Sequence, residues 1–268
     1  MSIYVDLLHY RELFANLFRR DLRTRYKGSF LGVLWSLVNP LVLMGIYTLV
    51  FSVLFPVSNT PHYPLYLLSG LAIWVFFSGA LAGSSRSLLD NANLIKKVRF
   101  PRQLAPFSTV ATHLVSFAAI FVVLIPINFA IIPATRKTIW LALPLSVPVV
   151  LLVAGLALTV SVVNVVFRDV EHIVAALLLP WFFLTPIMYS FEGGGAIASG
   201  ISKHHTLVEV LQYGNFLTPP IEAVRDPLFW GRWPRAVDVV YLLVAAALSL
   251  ALGAFVFRRI DDRIAVEL

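Results

Sequence analysis

Positions 28–85 contain no Asp, Glu, Lys or Arg, and Pro56, Pro61 and Pro64 cluster near the middle of the run. A hydrocarbon core about 30 Å thick is crossed by roughly 20 apolar residues in a helix. The run therefore predicts two spans, at 30–55 and 65–85, joined by a short turn. Further uncharged stretches predict spans at 103–132, 140–167, 173–191 and 239–257. The fold class expected is all-α: a polytopic membrane protein with six transmembrane helices and one membrane domain over 1–268.

The residues before the first span follow a different period. Leu7, Tyr10, Phe14, Leu17, Phe18 and Leu22 recur at three- and four-residue steps, with Arg11, Arg19, Arg20 and Arg23 elsewhere around the helix. This predicts an amphipathic helix over 3–27 in the membrane interface, either a plain anchor or a docking element. Gly28 breaks it and lets the chain turn into the bilayer. Asn39-Pro40 predicts a kink in the first span, since proline removes one backbone donor. The loop 86–102 predicts a short helix over 87–99, stopped by Phe100-Pro101. Leu88, Leu89, Leu94, Ile95 and Val98 mixed with Lys96, Lys97 and Arg99 suit a protein contact better than a plain connection.

Segment 192–236 combines Gly193-Gly194-Gly195, a helical stretch near 205–213 and a second one opened by Pro219-Pro220. Its apolar content predicts two half-helices dipping into the outer leaflet, permitted only where protein or a water-filled cavity covers the backbone. Polar residues within the spans are few. His113, near a helix start, reads as an interhelical donor rather than a proton relay. Arg168-Asp169-Val170-Glu171-His172 has the residue types of an acid/base or metal site, but no second cluster completes it, and a turn salt bridge is the simpler reading. His204-His205 are adjacent and do not share a helix face, so they make a weak metal pair.

Composition supports the membrane frame: 59% hydrophobic and 13% charged, against about 25% charged in soluble domains. Six spans leave no length for a separate soluble domain. There are no cysteines, which excludes disulfides and thiol chemistry. The formal charge of +7 would suggest nucleic acid in a soluble protein, but its placement argues otherwise. With the N-terminus cytoplasmic, fifteen Lys/Arg fall on inside segments and six on outside ones, as the positive-inside rule requires. The expectation is a plasma (inner) membrane protein with both termini cytoplasmic, no signal peptide and no nucleic-acid partner.

There is no G-x-x-x-x-G-K-[ST] phosphate loop, no nucleophile elbow and no H-E-x-x-H. A coupled secondary transporter usually carries an intramembrane carboxylate, and these spans have none. Energy for uphill movement would then enter from a partner on the cytoplasmic face, where the 3–27 helix and the 87–99 loop both lie.

Arg25-Tyr26-Lys27-Gly28-Ser29, Leu31-Gly32, Trp35-Ser36-Leu37 and Asn39-Pro40 open a series of segments in fixed order. Lys96–Pro101, Asn164–Val170, Thr185-Pro186-Ile187 and Leu217-Thr218-Pro219 continue it across nearly the whole chain. Together they resemble the permease subunits of ABC-2 type exporters, within those the polysaccharide, O-antigen and teichoic-acid export branch. One departure is Phe216, where the family often has proline.

The resemblance implies a homodimer above two copies of a separate ABC nucleotide-binding subunit, which would hold the ATP and Mg; this chain would need no cofactor. It implies an ATPase-coupling surface at Leu94, Ile95, Lys96, Lys97, Val98 and Arg99, assisted by Arg23, Arg25, Tyr26 and Lys27. It implies export of a glycan on an isoprenoid diphosphate lipid, past a lining of Trp35, Tyr47, Phe51, Trp74 and Phe77. Pro186, Leu217, Thr218 and Pro219 would belong to an outer gate. Two other readings remain open at this point: an ABC-2 exporter of a small molecule or drug, and a membrane enzyme acting on lipid-linked sugars through the Arg168–His172 cluster.

Overall fold

The computed structural model describes residues 10–54, 60–98, 100–190 and 205–267. These residues form ten α-helices joined by short 3-10 and wide turns, with no strand among them. We number them α1 (Arg11–Tyr26), α2 (Trp35–Thr48), α3 (Tyr63–Asp90), α4 (Ala92–Lys97), α5 (Leu104–Ile131), α6 (Ala142–Val166), α7 (Val170–Leu184), α8 (His205–Glu209), α9 (Thr218–Arg225) and α10 (Ala236–Glu267). Five helical segments are long and apolar enough to cross a membrane: Gly32–Ser52, Tyr63–Asp90, Leu104–Ile131, Ile139–Val166 and Ala236–Asp261. The protein is a multi-pass, all-α membrane protein.

The helix α7 is apolar but has 15 residues, a rise of about 22 Å against a core of about 30 Å. The expected fifth span at 173–191 thus ends as a helix at Leu184, just before Pro186. The Thr185 amide still bonds to the Trp181 carbonyl at 3.0 Å, and residues 186–190 continue without helical hydrogen bonds. At the other extreme α10 has 32 residues and runs well past the expected end at 257.

The described chain ends lie at one end of the bundle. α1 docks on the start of α5, with Ser108 donating to Asp21 at 2.6 Å. Phe257 and Ile264 near the end of α10 pack with Leu88 and Ile95, where α3 gives way to α4. An even number of crossings is needed to return the chain to its starting side. The five long segments alone are odd in number, so α7 with 185–190 supplies the sixth passage.

The centre of the bundle is α3, which packs against α2, α5, α6 and α7. Its sequence explains this: it has no charge before Arg86, and small residues occur at intervals where neighbours need room. A side chain at Gly70 would collide with Arg225, and side chains at Gly79 and Gly83 would collide with His113 and Thr109. α6 and α10 cross closely for the same reason: side chains at Gly155 or Gly253 would strike the facing backbone. Small residues of this kind let helices approach where lipid gives no hydrophobic push.

Two local expectations change. The helix expected over 87–99 is split: residues 87–90 finish α3, and α4 covers only Ala92–Lys97. Asn91 makes the break, its side-chain amide bonded back to the Ser87 carbonyl at 2.7 Å. The expected interface helix is partly an intramolecular one, because Leu17 is buried and Asp21 and Arg25 reach α5. Gly193–Gly195, His204 and Arg99 lie outside the described residues.

Candidate functional site

The first part of the site is the backbone that leaves helical geometry inside the bundle. Residues 185–190 expose carbonyls that no helix satisfies, and in a membrane each would cost several kcal/mol unpaired. Side chains from the far end of α3 and from α9 supply the donors. Tyr63 donates to the Met188 carbonyl at 2.8 Å and Tyr66 to the Tyr189 carbonyl at 2.7 Å. Arg225 donates to the Pro186 carbonyl at 2.9 Å.

Arg225 is fully buried. It also donates to Tyr66 at 3.0 Å, to Ser69 at 3.2 Å and to Glu222 at 2.6 Å, and lies over the Tyr66 ring at 4.1 Å. Its Nη2 lies against Gly70 and has no partner among the described residues. Burial raises the Glu222 carboxyl above its ordinary range, opposed by the Arg225 guanidinium, which lowers it. Sequence reading places Arg225 among the outside loop cations. Nothing in its neighbours along the chain indicates that α9 folds back into the bundle.

The second part is the turn that carries α8 into α9, and it hinges on Asn215. Its Oδ1 accepts from the Trp181 indole at 2.9 Å and from the Leu217 amide at 3.2 Å. Its Nδ2 donates to Thr185 at 2.9 Å. One side chain therefore ties the end of α7 to the start of α9. Asn128 and Thr138 do the same for the wide turn after α9, donating to the Leu228 and Pro227 carbonyls at 2.7 and 3.0 Å. The expected gate residues Pro186, Leu217, Thr218 and Pro219 are all buried here. Asn215→Ala removes at once a donor and the one acceptor that serves both the Trp181 indole and the Leu217 amide. We expect a loss of about 1–3 kcal/mol per group left unpaired, read as a lower midpoint of thermal unfolding, with Asn215→Asp restoring the part due to the acceptor.

The third part is an aromatic ladder. Tyr47 contacts Phe51 at 6.2 Å and Phe182 at 5.5 Å, Phe182 contacts Trp74 at 5.3 Å, and Trp74 contacts Phe77 at 5.6 Å. Phe77 meets Trp181 at 5.5 Å, and Trp181 meets Phe216 at 4.8 Å. Four of the five residues expected to line a passage are thus joined. Trp74 and Phe77 are buried inside the chain itself, so in this conformation they pack and do not face an open lumen. Trp35 is apart, 49% exposed, beside Arg25, Tyr26 and Asn39. Phe216, the departure from the expected proline, provides the last ring.

The fourth part lies at the opposite end of α3. Ile95 of α4 is 7% exposed and packs among Leu88, Val162 and Phe257. It therefore faces the chain's own core, contrary to its expected place on a docking surface. Leu94 is half-buried, while Lys96, Lys97 and Val98 point outward. Arg20 donates to Asn91 at 2.7 Å, so α1 is tied directly to the N-terminus of α4. Arg25 and His113 Nδ1 are 3.1 Å apart. Arginine has no acceptor, so His113 accepts here instead of donating as expected. Arg23 and Lys27 are exposed, and Tyr26 is half-buried.

The Arg168–His172 cluster is an exposed turn. Glu171 lies 3.6 Å from Arg86 and 3.7 Å from His172, and its amide donates to Asn164 at 2.9 Å. Asn164 in turn donates to the Ser85 carbonyl at 2.9 Å, which locks the α6–α7 turn to α3. No group of three or more metal-ligating side chains occurs among the described residues.

The sequence matches a known family description, ABC-2 type transporter, over residues 12–229. The chain belongs to the ABC-2 type transporter family. It is 38% identical over 187 residues to the O-antigen export system permease protein RfbA of Myxococcus xanthus, covering 69% of this chain and 70% of that protein. The RfbA of Klebsiella pneumoniae is 33% identical over 183 residues, 68% of this chain and 70% of that one. Polysialic acid transport protein KpsM of Escherichia coli is 24% identical over 255 residues, 92% of each chain. This ABC-2 chain is accordingly a transporter component and not a membrane enzyme. Asn215, Arg225, Tyr66 and Asn128 carried no site role in the sequence, yet each bonds a group from a distant segment, whereas Asn164 already stood in the Asn164–Val170 motif.

Proposed function

We propose that this chain is the transmembrane subunit of an ATP-driven exporter that moves a lipid-linked polysaccharide from the cytoplasm to the outer side. The observation that carries the reading is the 38% identity to an O-antigen export permease over 69% of the chain. Trp35, 49% exposed at the start of the first span, is a ring of the expected lining that is open to a sugar in this conformation. Sugar rings stack on aromatic faces through their C–H surfaces, weakly and with little sequence preference, which suits a sliding polymer. The competing small-molecule exporter has no specific feature of the structure in its favour.

The energy source in this reading is a separate nucleotide-binding subunit that holds ATP and Mg, two copies per assembly, docked at the α4 end. That end is cytoplasmic by the distribution of Lys and Arg. The coupling surface consists of Lys96, Lys97 and Val98, with Leu94 at its edge. α1 contributes through the Arg20–Asn91 bond, and Arg25 through its joint with His113. The passage forms between two copies of this chain: the apolar face of the first span, with Leu34, Val42, Ile46 and Leu49 exposed, is left uncovered by the chain's own helices. Asn215 and the segment Leu217-Thr218-Pro219 against Pro186 close the outer end when no polymer is threaded.

The test is reconstitution with the partner ATPase in vesicles and measurement of ATP-dependent movement of a radiolabelled lipid-linked glycan to the far leaflet. The expected result is transport that needs both subunits and survives Asp169→Asn with Glu171→Gln. Transport of small amphiphiles with no movement of the glycan would overturn the reading.

A further inference from the structure

α10 is longer than a crossing requires. Its 32 residues rise about 48 Å, against a hydrocarbon core of about 30 Å. Along the crossing it exposes Val240, Val244, Leu248, Leu252 and Phe255. The uncharged stretch ends at Phe257, and the turns that follow are more enclosed. Phe257 and Ile264 are fully buried, Ile260 is partly buried, and Asp261 is engaged by Arg102. These four positions fall at i, i+3, i+4 and i+7, which is one face of a helix. Arg258 and Arg259 lie off that face and are exposed.

That face closes a second apolar core, separate from the one that runs through the bundle. The other buried members are Leu88 of α3, Ile95 of α4, Ala105 of α5, and Leu158, Val162 and Val165 of α6. α4 depends on this core, because isolated helices shorter than about 12 residues are marginal in water and α4 has six. Its attachments lie on both flanks. Asn91 precedes it. Arg102 follows it, with Nη1 donating to the Asp261 carbonyl and, at 3.2 Å, to the Asp261 carboxylate. The end of α10 therefore holds α4 twice: through the core that buries Ile95, and through the chain that leads from α4 into α5. Lys96, Lys97 and Val98 remain exposed.

We propose that residues 257–264 of α10 position α4, with Asp261 and Ile264 as positioning residues that act through Arg102 and Ile95. The proposal rests on the reading of α4 as the surface that meets the nucleotide-binding subunit. With these contacts intact, the exposed side of α4 has one orientation toward that partner. Without them its orientation rests on α3 and α6 alone.

The chain has no cysteine, so a nitroxide attached through Lys97→Cys reports on α4 in the full chain in nanodiscs. Arg102→Ala and Ile264→Ala, each added separately, should convert an ordered spectrum into one with a mobile fraction. The second measurement uses unlabelled protein with Lys97 in place, in vesicles with the partner ATPase. There Arg102→Ala should lower the glycan moved per ATP hydrolysed about tenfold, the scale of one lost hydrogen bond to a charged group. That ratio does not depend on how much protein is folded, so a general loss of stability leaves it unchanged. Arg102→Lys keeps a donor and Ile264→Leu keeps the volume, and both should hold the parental spectrum and ratio. An ordered label in both alanine variants, or a mobile label with a parental ratio, would overturn the proposal. An equal drop in the ratio from Arg258→Gln with Arg259→Gln would overturn it too. Export that survives charge reversal at Lys96 and Lys97 would remove the coupling reading alone, and the label would still decide whether α10 positions α4.

Discussion

Reversing the outward face of α4, with Lys96→Glu, Lys97→Glu and Val98→Asp together, should abolish export while leaving the protein folded in the membrane. All three side chains are exposed, Val98 at 48%, so the bundle has no stake in them. A docking surface does: like charges placed against a partner cost several kcal/mol, and about 1.4 kcal/mol is tenfold in affinity. ATPase stimulation and glycan transport should both fall by more than about a hundredfold, with the unfolding midpoint within a degree or two of the parent. The neighbouring change Ile95→Asp separates the two roles of this short helix. Ile95 packs with Leu88, Val162 and Phe257, and a carboxylate there has no partner. Burying an unpaired charge costs several kcal/mol, so this variant should fail to accumulate in the membrane at all. Retained export in the triple variant would remove α4 from the coupling surface.

Arg225→Leu is expected to be the most damaging single substitution at the other end. It withdraws donors from Glu222, Tyr66, Ser69 and the Pro186 carbonyl together. Breaking a buried pair by deleting one partner costs about 3–5 kcal/mol, a large share of a typical total stability. Glu222 would then take up a proton, since burial already raises its carboxyl and Arg225 is the leading influence that lowers it. Arg225→Lys should not rescue, because a single ammonium cannot span four acceptors spread across α3, α9 and residue 186. Arg225→Leu with Glu222→Leu should recover much of the loss, as apolar replacement of a whole pair is often near neutral. Thermal unfolding in detergent measures the cost, and dye leakage from proteoliposomes measures the seal. A parental midpoint in Arg225→Leu would show that α9 is held by its apolar packing alone.

The two ends of α3 thus do different work through one rigid element. At one end Asn91 ends the helix and presents α4; at the other Tyr63 and Tyr66 hold a chain that has left helical geometry. Between them the ladder from Tyr47 to Phe216 spans α2, α3, α7 and the turn before α9.

Hydropathy along the chain determined the fold class, the number of crossings and the approximate bounds of α2, α3, α5 and α6. Lipid makes this possible: a spanning segment must satisfy its own backbone and cover itself in apolar side chains, so the constraint is local. The motif at Asn164–Val170 and the prolines at 186 and 219 were also legible as breaks. Which way Ile95 faces was not, because a six-residue helix places apolar residues on both sides and only its neighbours α6 and α10 select one. The place of Arg225 was decided by tertiary structure alone. A guanidinium is tolerated in the interior only when partners from α3 and residue 186 converge on it, and those partners lie 39 to 159 residues away.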